Sequence, residues 1–152
     1  MGYSEVYAGN ILTIFAVIQI PVGLVLPKLL QRFPSRLLWM SLAASIELLG
    51  FCMIFFSVQP WLAAVFIGLG AGTLFSLSLL LPIDLTKNSE EAAAWSAMIQ
   101  SVGYVFGATG PFMIGLLHDT TNSFTIPIIG MIIINCLMII MQCFAAPKKP
   151  LT

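Results

Sequence analysis

The stretch PWLAAVFIGLGAGTLFSLSLLLP, residues 60–82, contains no Asp, Glu, Lys, Arg or His. At 1.5 Å per residue, a helix of that length crosses the roughly 30 Å of hydrocarbon in a bilayer. It does not alternate polar and apolar residues, so a helix and not a barrel strand is the spanning form it supports. Working outward from it, four further apolar runs meet the same requirement, at about 8–31, 36–57, 92–117 and 124–146. Short polar segments divide them: residues 31–36, 57–60, 84–91 and 118–123. Connections this brief force neighbouring helices to run antiparallel.

Composition agrees. Of the 152 residues 59% are hydrophobic and 8% charged, and the mean hydropathy is +1.03. A soluble domain carries roughly 25% charge, and so few charges cannot clothe a water-facing surface. The expectation is an all-α membrane protein of about five transmembrane helices, one domain over residues 1–152. The formal net charge is zero, which offers nothing to a nucleic acid. Before the first apolar run there is no Lys or Arg and no small-residue cleavage site, so the first helix is expected to be retained.

Local residues support the boundaries. Ser89 is a candidate cap for the fourth helix, with Glu90 and Glu91 against the positive end of its dipole. Pro60 suits the first turn of the third helix. Pro34 separates the first two helices. Pro21, Pro27 and Pro111 fall within spans or near their ends, where neighbouring helices can satisfy the freed carbonyls.

The cations give orientation. Lys28, Arg32 and Arg36 flank the first connection, Lys87 lies in the third, and Lys148 and Lys149 follow the last helix. With alternating helices all six fall on one side. Basic residues are retained in the cytoplasm, so the N-terminus is expected outside and the C-terminus inside. An odd number of helices starting outside also suggests a further helix upstream.

Several residues could carry function. Gly68 and Gly72, and Gly103 and Gly107, form GxxxG pairs that let helix backbones approach closely in lipid; they are read as packing surfaces that could also slide during a transport cycle. The fourth helix has a polar stripe of Ser96, Gln100 and Tyr104, continued by Ala108 and Pro111. Polar groups in hydrocarbon need partners or a cavity, so Gln100 and Tyr104 are candidates either for lining a cavity or for interhelical hydrogen bonds. Asn10 and Thr13 in the first helix, and Thr73 and Ser76 in the third, are further lining candidates. Gln19 points elsewhere and reads as a helix contact. Glu47 is the ionisable side chain deepest within a span, a candidate proton site or cation partner; the alternative is a protonated carboxyl bonded to a neighbouring helix. His118 and Asp119 read as a wet helix end.

Cys52, Cys136 and Cys143 sit in apolar runs without CxxC or Cys/His spacing and read as small hydrophobes. No metal-ligand pattern, phosphate loop or nucleophile–base set appears, so neither cofactor, metal nor enzymatic activity is expected.

Gly2-Tyr-Ser-Glu5 with Ala8-Gly9, Gly68-Leu-Gly-Ala-Gly72-Thr-Leu-Phe75, Gln100-Ser-Val-Gly-Tyr104, Gly110-Pro111 and Gly115-Leu-Leu-His-Asp119 resemble the major facilitator superfamily. The nearest branch is that of cyanate permeases and nitroimidazole transporters. The resemblance covers the whole chain but only the last five of that family's twelve helices, which implies an incomplete C-terminal six-helix bundle whose N-terminal half is a missing partner. It implies a secondary active transporter for a small polar or anionic organic solute, working by alternating access in a bacterial inner membrane. In such a fold the first, third and fourth spans approach the cavity, and the second and fifth are outer supports, which weakens the case for Glu47. Arg32 and Arg36 match the family's cytoplasmic Asp-Arg-x-Gly-Arg-Arg loop, but Gln31, Pro34 and Ser35 replace its acid, glycine and middle arginine, so no charge-based latch is expected there. The rival from another class is a small structural or regulatory subunit of a membrane complex.

Overall fold

The computed structural model describes residues 4–145, which form five α-helices in the order α1 (Glu5–Arg32), α2 (Arg36–Phe55), α3 (Pro60–Leu85), α4 (Ser89–Thr121) and α5 (Thr125–Ala145). No strand occurs among the described residues. Four of the helices, α1, α2, α3 and α5, are long and apolar enough to cross a membrane. α4 is the longest, at 33 residues; Ser96, Gln100, Ser101, Tyr104 and Thr109, and the acids of its first turn, make it more polar. Lys148 and Lys149, with Gly2 and Tyr3 of the family-like segment, lie outside the described residues.

The helix ends follow side-chain capping. Ser4 starts α1 by accepting from the Tyr7 N–H, and Ser35 starts α2 by accepting from the Leu38 N–H. Pro60 occupies the first position of α3, where no N–H is needed. At α4 the cap is Asn88, not Ser89: its Oδ1 accepts from the Glu91 N–H at 2.8 Å, and Ser89 is already helical. α4 then continues through His118 and Asp119 to Thr121, where Asn122 turns left-handed at φ 51°. Asp84, placed by the sequence in the third connection, belongs to the last turn of α3.

α3 is the hub. α1, α2 and α4 pack on it, and α5 packs on α2 and α4. Its two faces use small residues in different registers. Towards α1, Gly68 sits on Phe15 and Ile18, Gly72 on Gln19, and Ser76 beside Gly23; the numbers rise together, so α1 and α3 are parallel. Towards α2, Gly70 meets Ala43 and Glu47 while Ala63 and Ile67 meet Gly50, an antiparallel register. The buried core is correspondingly small in side chain: Ala43, Ala44, Ala63 and Ala64 lie there with these glycines. Lipid tails are as apolar as leucine, so helices associate through close van der Waals contact, and backbones that meet directly maximise it. A larger cluster, Leu26, Leu30 and Leu77 backed by Trp39, Met40 and Leu80, closes the end where α1 turns into α2. There the Trp39 indole N–H donates to the Phe33 carbonyl at 3.0 Å, holding the Phe33-Pro34-Ser35 turn against α2.

Candidate functional site

The six polar lining candidates separate into three pairs, one on each of α1, α3 and α4. Thr73 and Ser76 sit on the α1-facing half of α3. Ser76 is half-buried, its Oγ 3.5 Å from where a Cβ on Gly23 would lie. Thr73 donates to its own helix at Leu69 O. It also lines an open groove of about 280 Å³ between α1 and α3, with Pro21, Val25, Leu29, Leu69 and Trp39. That groove is nearly all hydrocarbon, so it offers a solute shape but few hydrogen bonds. Asn10 and Thr13 are exposed on α1, Thr13 donating to Gly9 O at 2.9 Å.

Gln100 and Tyr104 lie on α4, which buries no residue completely. Its half-buried positions fall at its two ends, Ala92, Ser96, Ile99 and Gln100, then Gly110, Ile114, Leu117 and His118. Residues 101–109 between them are exposed throughout. Gln100 therefore turns partly towards the bundle, while Tyr104 is 63% exposed. Gly103 and Gly107 would have nothing within 4 Å of an added Cβ. So of the two GxxxG pairs, Gly68 and Gly72 make helix contacts among the described residues, whereas Gly103 and Gly107 present a bare backbone strip beside Tyr104. The structure does not bring α4's polar groups against Thr73, Ser76, Asn10 or Thr13 through any hydrogen bond.

Further polar pairs lie elsewhere, and in them sequence reading missed Asp84, Asn135 and Gln142. Arg36, at the start of α2, forms an ion pair with Asp84 at 2.5 Å. The loop lacks the acid of the motif it resembles, and the carboxylate beside Arg36 comes instead from the end of α3. Arg32 is exposed. Asn135 and Gln142, two turns apart on α5, are both buried, at 4% and 7% exposure. Asn135 Nδ2 donates to Glu47 Oε2 at 3.0 Å, joining α5 to α2. At the opposite end of the bundle from Arg36, His118 lies 3.5 Å from Asp119 and rests on the Phe124 ring at 4.2 Å between centroids. Among the described residues no three His, Cys, Asp or Glu side chains converge as metal ligands would.

Because both partners of the Arg36–Asp84 pair are about one-third exposed, solvent screening limits its worth to about 1 kcal/mol or less. Asp84→Ala should lower the detergent-unfolding stability by that order, and the swap Arg36→Asp with Asp84→Arg should recover part of it. A swap no better than the sum of its singles would deny the pair any coupling.

An all-helical bundle with four bilayer-length apolar helices, held by bare glycine and alanine seams, defines a multi-pass membrane protein. The sequence profile of the Major Facilitator Superfamily matches residues 1–151, and the chain belongs to that family of transporters. It is 33% identical to "Uncharacterized transporter YycB" of Bacillus subtilis (strain 168), over 86% of this chain and 33% of that protein. It is 28% identical to the "2-nitroimidazole transporter" of Escherichia coli (strain K12), over 97% of this chain and 38% of that protein. It is 31% identical to "Cyanate transport protein CynX" of the same organism, over 82% and 33% respectively. The chain thus spans about a third of the length of these relatives. No solved structure matches it.

Proposed function

We propose that this chain is the C-terminal part of a bacterial inner-membrane secondary transporter that carries a small polar or anionic organic solute by alternating access. The observation that carries the reading is the family match along essentially the whole chain to proteins about three times longer. In this reading the five helices are the last five of twelve, α4 crosses the membrane as the eleventh, and an N-terminal half supplies the facing wall. The names of two relatives, a 2-nitroimidazole transporter and a cyanate transport protein, support a compact polar or anionic solute. No Lys or Arg lies deep in any of the five helices, so a charge for an anion would come from the other half.

α1, α3 and α4 face the cavity, with Asn10, Thr13, Thr73, Ser76, Gln100 and Tyr104 lining it. The exposure of residues 101–109 supports this: Tyr104 and the glycine strip are a face that a second body would cover. The site offers hydrogen bonds and an aromatic ring rather than reactive groups, so its work is binding and release, not catalysis.

The test is uptake of labelled cyanate or 2-nitroimidazole by cells expressing the chain in its native reading frame, with whatever that frame encodes beside it. Gln100→Ala with Tyr104→Phe should reduce uptake about tenfold, the loss of one or two hydrogen bonds to a solute, with membrane insertion unchanged. Wild-type uptake kinetics in that variant would remove both residues from the cavity. If the chain instead co-purifies with an unrelated membrane complex and supports no solute uptake, the reading as a structural or regulatory subunit takes its place.

A further inference from the structure

Glu47 and Asn135 leave two needs unmet that a single proton would meet. Asn135 Nδ2 donates to Glu47 Oε2 at 3.0 Å. The other end of the same amide, Oδ1, is buried and has no partner, although Asn135 is only 4% exposed. Glu47 in turn has no cation partner among the described residues. α3 reaches it through Gly70, where an added Cβ would stand 2.6 Å from the Glu47 Cβ, and the titratable residue of α3 is Asp84, at its far end and bound to Arg36. On α2 itself the others are Arg36, about 16 Å along the helix, and Cys52. α5 carries Cys136 and Cys143 and no charged residue. Glu47 is half-buried, and a carboxylate on this apolar seam would have one amide N–H and no opposite charge to offset it, while the orphaned amide oxygen would lack a donor.

We infer that Glu47 and Asn135 form a reciprocal acid–amide pair, a proton-binding site on the α2–α5 seam. Asn135 Nδ2–H donates to Glu47 Oε2, and a proton on Glu47 Oε1 is donated to Asn135 Oδ1. The carboxyl is neutral, both amide ends are satisfied, and two bonds in a ring set the register of α5, whose surface is otherwise almost wholly apolar. Removing the proton breaks one of the two bonds and places a charge in the seam. α5 is therefore held tightly to α2 while the proton is bound, and the hold weakens as pH rises through the titration of Glu47. This inference concerns the outer seam and stands whether or not the chain lines a solute cavity.

Infrared spectroscopy of the whole chain reconstituted in lipid vesicles tests it. At neutral pH the spectrum should contain a protonated-carboxyl C=O stretching band that vanishes in Glu47→Gln and moves to the frequency of a non-bonded acid in Asn135→Leu. Glu47→Gln keeps a donor in place of the acid O–H, so its unfolding temperature at neutral pH should equal the wild type's. On going to alkaline pH the wild type should lose stability and Glu47→Gln should not. A neutral-pH spectrum without the band overturns the inference, as does a band that survives Glu47→Gln or an identical pH response in the two proteins. Should Glu47→Gln fail to accumulate, the band shift in Asn135→Leu decides, and an unmoved band is the negative result.

Discussion

Replacing Gly70 by alanine is expected to loosen the α2–α3 seam and sharply reduce the folded protein recovered from membranes, whereas Gly107→Ala should have no such effect. A Cβ on Gly70 would lie 2.6 Å from the Ala43 carbonyl oxygen, 2.6 Å from the Glu47 Cβ and 2.9 Å from the Glu47 amide nitrogen. Two of these are backbone atoms, and the third is fixed to the backbone, so no rotamer change relieves the clash. α2 must move away by about an ångström to restore ordinary contact, and Ala43, Ala44, Ala63 and Ala64, which are packed with it, lose their partners. Overpacking of this kind costs about 1–3 kcal/mol, and the helical preference of alanine over glycine returns at most about 1 kcal/mol. At Gly107 no atom lies within 4 Å of the added methyl, so only the favourable propensity remains. Retained helicity in a denaturing-detergent titration compares the two variants directly. Equal behaviour would mean that the glycines of α3 do not set the helix spacing. A side chain larger than alanine at Gly70, such as leucine, should abolish accumulation altogether.

That contrast also marks what the sequence could reveal about packing. The i, i+4 rule picks out Gly68 and Gly72, and they do make the α1 seam. It equally picks out Gly103 and Gly107, where an added Cβ would meet nothing within 4 Å among the described residues, because a smooth strip states that a backbone can come close and not which backbone does. Gly70 lies about 200° around the helix from Gly68 and serves α2. Gly50 serves the same seam without belonging to any motif. The five helices themselves were legible because hydrocarbon demands long uncharged runs and tolerates charge only between them. The exact ends were less so. Asp84 resembles a loop residue, yet Arg36 holds it within α3, a pairing between distant positions that no local pattern carries. Asn135 and Gln142 were hidden for the opposite reason. α5 is apolar almost throughout, so a reading of periodicity gives it no inner face, and only the fold shows that Asn135 bonds to α2 and that Gln142 is buried. Of the candidate cavity, residue types and spacing on α4 were readable, whereas the exposure of Tyr104 needed the fold, because it depends on which helices pack on α4.

Charge placement leads to the second large effect, an all-or-none difference between the two ends of the bundle. The parallel register of α1 with α3 and the antiparallel register of α2 bring the end of α1, the start of α2, the end of α3 and the start of α4 together. Lys28, Arg32, Arg36 and Lys87 consequently share one end, and the Arg36–Asp84 pair joins two of its elements directly. The other end, at residues 57–59 and 122–124, carries no Lys or Arg. Basic residues flanking the spans are retained in the cytoplasm, so four on one side make the reverse orientation rare. A phosphatase active only in the periplasm should thus be active when inserted at residue 58 or 122 and silent at residue 87. A fluorescent protein that matures only in the cytoplasm should light up when fused to the C-terminus. Neutralising Lys28, Arg32, Arg36 and Lys87 while placing lysines at 57 and 59 should produce a mixed or inverted population. A bright phosphatase at residue 87 in the unaltered chain would overturn the orientation, and with it the assignment of these helices to the last five of a twelve-helix transporter, since that assignment requires the loop between α3 and α4 to be cytoplasmic.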